Sequence, residues 1–77
     1  MKHEIKSKTA IGDNKYRFTI LLKPDTDEEQ SWIMDVENLK ENQQVNDYLL
    51  FCAGDEFSPL VANPHGNNLF EVYFYKN

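Results

Sequence analysis

The sequence predicts an α+β fold, a small antiparallel sheet of about five strands packed on one short helix. Three observations point to it. Residues 3–11 and 16–22 alternate in polarity around Gly12, Asp13 and Asn14, which is the pattern of a β-hairpin. Residues 48–75 hold three apolar runs cut by Gly54-Asp55-Glu56 and by Asn63-Pro64-His65-Gly66-Asn67-Asn68, which is the pattern of a strand meander. Between these β-rich halves lies the one stretch with helix signals, from Asp25 to Gln43.

In the first strand Ile5, Thr9 and Ile11 alternate with Glu4, Lys6 and Lys8. In the second, Tyr16, Phe18, Ile20 and Leu22 alternate with Arg17, Thr19 and Leu21. Strand side chains point to opposite faces in turn, so Lys6, Lys8 and Arg17 are expected on an outward, basic face. Pro24 ends the second strand because it has no N–H for the ladder.

Thr26 and Glu29 have the spacing of a capping box, with Asp25, Asp27 and Glu28 near the positive end of a helix dipole. Trp32, Ile33, Val36 and Leu39 then form a helical stripe. Trp32, Met34 and Val36 also alternate as a short strand would, so residues 26–34 stay open between helix and strand. A helix is expected across 35–43.

Residues 45–53 are ambiguous as well. Val45, Leu49 and Cys52 would line a helix ending at Gly54. Four consecutive apolar residues after Asp47, two of them aromatic, favour a buried strand. The runs Pro59–Ala62 and Leu69–Tyr75 read as the last strands. In the latter, Phe70, Val72 and Phe74 share one face, against Leu69, Glu71, Tyr73 and Tyr75. The expected core is Ile5, Ile11, Phe18, Ile20, Val36, Leu39, Leu49, Phe51, Val61, Phe70, Val72 and Phe74.

The 77 residues read as one α+β domain, 1–77. A chain of this size buries roughly 60% of the surface it exposes when unfolded, for a stability of about 4–12 kcal/mol. Its 13% aromatic content argues against disorder. No run nears the roughly 18 apolar residues of a membrane span, and the N-terminus lacks the apolar segment of a signal peptide. The expected compartment is the cytoplasm.

The net charge of −5 is unevenly distributed. Residues 1–23 carry +4 and residues 24–77 carry −9. A split of this kind steers and orients a partner.

Catalytic chemistry has no candidate. His3 and His65 stand apart from the single cysteine, Cys52, and its apolar neighbours suggest a small buried hydrophobe rather than a nucleophile. A lone cysteine has no partner for an intramolecular disulfide. No Cys or His spacing suits a metal, and Asp25–Glu29 lacks the glycine and terminal glutamate of a calcium loop. The glycines stand at separate turns, so no phosphate loop is present. The expectation is a non-enzymatic protein without cofactor or metal.

Protein recognition remains. Asp25, Asp27, Glu28 and Glu29 are the candidate steering residues, toward a basic target such as a toxin or nuclease. Trp32, Tyr73 and Tyr75 are the candidate anchors, because aromatics beside carboxylates suit an interface. One alternative is a single-stranded nucleic-acid module using Lys6, Lys8 and Arg17, which the −9 balance of the remaining chain opposes. Another is a structural homo-oligomer, such as a homodimer, joined through an edge strand.

The order of features over residues 32–75 is Trp32-Ile33-Met34, Val36 to Asn42, Tyr48-Leu49-Leu50-Phe51, Gly54-Asp55-Glu56-Phe57, Leu60 to Asn63, a turn at Gly66, and Leu69 to Val72. This order resembles the central portion of the SUKH superfamily, whose members are often toxin-immunity proteins. There a strand with Trp leads to a short helix ending in Asn, followed by a strand meander. The family usually begins with a helix where residues 1–23 read as a hairpin. The resemblance implies a small protein that neutralises a protein partner by stoichiometric occlusion, and it assigns no individual residue.

Overall fold

The computed structural model describes residues 1–77. The chain runs β1 (Lys2–Gly12), β2 (Lys15–Lys23), α1 (Asp27–Glu37), α2 (Gln43–Ala53), β3 (Phe57–Pro64) and β4 (Leu69–Lys76). The sheet is antiparallel throughout, in the order β1-β2-β4-β3. The α+β class therefore holds, with four strands instead of about five and two helices instead of one. Ile33 from α1 with Val45 and Leu49 from α2 pack on Phe18, Ile20, Leu22, Phe70, Val72, Phe74 and Phe57. Both helices thus cover one face of the sheet and leave the other uncovered.

The hairpin forms where expected, with Asn14 taking a left-handed φ of 56° at its turn, a conformation asparagine tolerates. The facing of β1 is different. A bulge lies between the pairs Ile5↔Ile20 and Ser7↔Thr19. One inserted residue reverses the inside–outside order of everything beyond it. Lys8 therefore pairs with Phe18 on the helix-covered side, while Thr9 pairs with Arg17 on the uncovered side. Lys8 does not share an outward face with Arg17.

Helix α1 starts as its cap predicts. Thr26 Oγ1 accepts from the Glu29 N–H at 3.1 Å. The Glu29 carboxylate reaches back one residue further than a standard box, accepting from the Asp25 N–H at 2.8 Å. The helical stripe wins over the strand alternative at residues 26–34, because Ile33 is fully buried and Trp32 and Val36 rest against the core. The helix does not continue across 35–43. It ends at Glu37, and Leu39 turns left-handed with φ 63°.

A second helix replaces the strand expected over 48–53. Asn42 caps it, accepting from the Val45 N–H at 3.2 Å, and the chain leaves at Gly54, φ 106°. The apolar run Tyr48–Phe51 misleads because it is not all core. Leu49 is buried, Leu50 is half-buried and Phe51 is 71% exposed. Trp32 and Tyr48–Phe51 are thus helical where the family resemblance implies strands.

Six of the expected core residues are buried: Phe18, Ile20, Leu49, Phe70, Val72 and Phe74. Val36 is half-buried against them. Ile5, Ile11, Leu39, Phe51 and Val61 are exposed. Ile5 and Ile11 sit on an edge strand, and Val61 pairs with Tyr73 on the uncovered face. Their places are taken by Leu22, Ile33, Val45 and Phe57. Phe57 meets Phe18 and Tyr16 edge-on, with ring centroids 5.3 and 5.4 Å apart, the geometry aromatic quadrupoles favour.

Polar contacts hold the layers together. The Tyr48 hydroxyl donates to the Met1 carbonyl at 3.0 Å and lies 2.9 Å from His3 Nδ1, tying α2 to β1. Gln30 and Asn68 exchange reciprocal amide hydrogen bonds of 3.0 and 3.2 Å, tying α1 to the β3–β4 turn.

Candidate functional site

Two of the hydrophobic residues left outside the core stand at one place. Leu39 and Leu60 border one groove, of about 550 Å³, between α2, the 38–42 connection and β3. Its floor is apolar, built from Val36, Leu49, Ala62 and Phe74. Asn42, Gln43, Asn46 and Asn63 supply an uncharged polar rim, with Lys40 and Glu41 at its margin.

Local backbone irregularities present the two leucines. Leu39 is held left-handed where α1 ends, and its side chain is 91% exposed. A bulky non-glycine residue there costs about 1–2 kcal/mol, and strained residues of this kind concentrate at functional sites. Leu60 lies at the break in register between Pro59 and Val61 and is 53% exposed. Apolar side chains rimmed by polar ones mark an interaction surface.

The groove belongs to the acidic half of the molecule. Residues 24–64, which form both helices and β3, hold ten acidic residues and one basic one, Lys40. The split seen along the sequence becomes a split between the β1–β2 hairpin and the two helices with their connections. Around the groove stand Glu41, Asp35 (its carboxylate accepting from Asn42 Nδ2 at 3.3 Å) and Asp47, which accepts from Gln43 at 2.7 Å.

The candidate residues named from the sequence fall outside this groove, at two separate places. Trp32 is at the middle of α1, and Asp25, Asp27, Glu28 and Glu29 are at its start. There the amino group of Met1 lies 2.9 Å from both Asp25 Oδ2 and Glu29 Oε2. The hydrogen bond from the Met1 ammonium holds the Asp25 carboxyl below its ordinary pKa; for Glu29 the Asp25 N–H comes first and the ammonium second. Asp27 and Glu28 are exposed and make no ion pair. Trp32 is half-buried against the core.

Tyr73 and Tyr75 are on the uncovered sheet face, beside Arg17 and Lys15 respectively. Lys15 Nζ is 5.8 Å from the Tyr75 ring centroid. Tyr73 donates its hydroxyl hydrogen bond to Glu71, which is also 3.0 Å from His65 Nε2. The Tyr73 hydroxyl pKa is raised, first by the Glu71 carboxylate and then by desolvation.

Cys52 is half-buried, and burial pushes its thiol up to about 11, which disfavours the nucleophilic thiolate at neutral pH. No three of the His, Cys, Asp and Glu side chains gather as metal ligands do. No helix is long and apolar enough to cross a membrane.

Sequence reasoning missed the groove by assigning Leu39 to the core. A signal was present in Asn38-Leu39-Lys40-Glu41-Asn42. A lone leucine between two asparagines, both residues that favour helix ends, is more easily an exposed connection than a core position. No family model, curated protein or solved structure matches the chain.

Proposed function

We propose that this chain is a cytoplasmic protein-binding module of the inhibitor or immunity type, which docks on a protein partner through the α2–β3 groove and occludes it. The observation that supports this reading is the pair Leu39 and Leu60, both exposed and both bordering the same apolar groove. Fully burying a leucine contributes about 1.5–3 kcal/mol, so the pair is a worthwhile anchor for an interface. The acidic helical half gives the approach its direction, favouring a basic partner.

The test is capture from the host lysate by the tagged chain and by a Leu39→Gln/Leu60→Gln double variant. Both positions are exposed, so the variant keeps its fold. A single stoichiometric protein that is retained by the parent and lost by the variant supports the reading. Equal capture by both refutes docking in the groove.

A second reading rests on a different observation. Lys15, Arg17, Tyr73 and Tyr75 form one block on the uncovered sheet face, a basic and aromatic platform of the kind that stacks bases and holds phosphates. Salt-dependent retention on immobilised single-stranded DNA or RNA, lost on Arg17→Ala, would favour it.

A further inference from the structure

We propose that the segment entering the α2–β3 groove is a cationic amphipathic helix presented by the partner. This inference rests on the groove being the docking site, and adds the chemistry and conformation of what fills it.

Charge complementarity selects a cation. The groove's own lining carries one lysine and one glutamate, Lys40 and Glu41, and its surplus of acid comes from Asp35 and Asp47 behind the amide rim, in a half of the molecule, residues 24–64, that holds ten acidic residues and one basic one. A nucleic acid is repelled there. A second copy of the chain is disfavoured for the same reason, because a symmetric pairing would set two acidic halves against each other. A partner element carrying lysines or arginines around an apolar stripe meets both the floor and its surroundings.

The edge of the sheet selects a helix over a strand. β3 forms one wall of the groove and is an edge strand. An added strand would need a run of free N–H groups along it. Pro59 and Pro64 supply none, and the irregularity between Pro59 and Val61 breaks the register between them. What the edge denies to a strand, the groove offers to side chains. A cavity of about 150 Å³ holds one benzene-sized group, so a groove of about 550 Å³ has room for several apolar side chains on one helix face. The rim amides of Asn42, Gln43, Asn46 and Asn63 provide hydrogen-bond partners for the flanking polar groups.

The test uses two stapled helical peptides with identical leucine stripes. One has lysine at the remaining positions and the other glutamate. Each is titrated into the isotope-labelled chain at low and moderate salt, and amide shifts and affinity are read together. The expected result is binding of the lysine peptide with shifts at Leu39, Leu50, Leu60 and Ala62. Its affinity falls at least about tenfold in the Leu39→Gln/Leu60→Gln variant. The glutamate peptide binds at least about tenfold more weakly at low salt.

Equal binding of the two peptides overturns the cationic inference and leaves the groove as a docking site. Shifts confined to the uncovered sheet face, or unchanged affinity in the double glutamine variant, overturn the groove reading itself. Silence from both peptides overturns the inference, and the lysate capture then decides the groove reading alone. Concentration-dependent shifts at the groove in the free chain identify a second copy as its occupant and overturn the inference.

Discussion

Lys8 stands cross-strand from Phe18, on the side of the sheet that holds the core. Its ammonium lies 5.5 Å from the Phe18 ring centroid and 5.1 Å from that of Phe57. The bulge in β1 puts it there. Such a cation over aromatic faces contributes about 0.5–1 kcal/mol at an exposed site, and its aliphatic stem covers ring surface besides. Lys8→Ala should lower stability by about 1 kcal/mol in denaturant unfolding, whereas Lys6→Ala should leave it nearly unchanged. Equal effects at the two positions would mean that the bulge does not redirect Lys8.

The two helices make a paired prediction. Ile33 is fully buried on α1, so Ile33→Ala should cost about 2–5 kcal/mol. Phe51 is largely exposed on α2, so Phe51→Ala should cost under about 0.5 kcal/mol. If residues 48–53 were a buried strand, Phe51→Ala would instead be the more damaging change.

Asp27 and Glu28 are the two candidate steering carboxylates at the head of α1 that make no ion pair. Once the partner is in hand, Asp27→Lys/Glu28→Lys should slow association and flatten its salt dependence, with little change in dissociation. An unchanged association rate would remove this segment from the approach. Glu29 is excluded from the pair because it also caps the helix.

Glu71 makes a prediction about acid. Its pKa is lowered, first by the Tyr73 hydroxyl it accepts from and then by His65. A carboxyl depressed in the folded state favours folding above its unfolded pKa of about 4.3, and that contribution disappears as pH falls through the folded value. Glu71→Gln should therefore flatten the loss of stability below about pH 4.3, read as the midpoint of urea unfolding against pH. A parallel acid profile in parent and variant would refute the linkage.

Leu39 should separate stability from binding. Glycine adopts its left-handed conformation without the steric penalty of a side chain. Leu39→Gly should raise stability by about 1 kcal/mol while weakening capture of the partner. A variant that is both more stable and fully competent would show that this leucine has no role in docking.

The legible parts of the fold were those whose residues act locally. The β1–β2 turn, the β4 alternation, the Thr26 cap and the turns at Gly54 and Gly66 each follow from a few neighbouring side chains. Residues 48–53 were misread because a run of apolar side chains does not say which of them will be buried, and Phe51 is on the surface. The facing of Lys8 was hidden because a bulge leaves no mark in the polarity pattern. The groove was hidden for a third reason. It is made by what the helices fail to cover, and that depends on where α1 stops and how far α2 lies from β3.

The partition of charge also changes what the isoelectric point of about 4.8 says about this molecule. The acid is concentrated in the two helices and the connections around them, and the surplus of base in β1 and β2. At neutral pH the protein is therefore an electric dipole as well as an anion. On a charged chromatographic matrix it would adhere by one side and present the other. Which half is left facing outward would depend on the sign of the support, a simple means of choosing which surface a partner meets first.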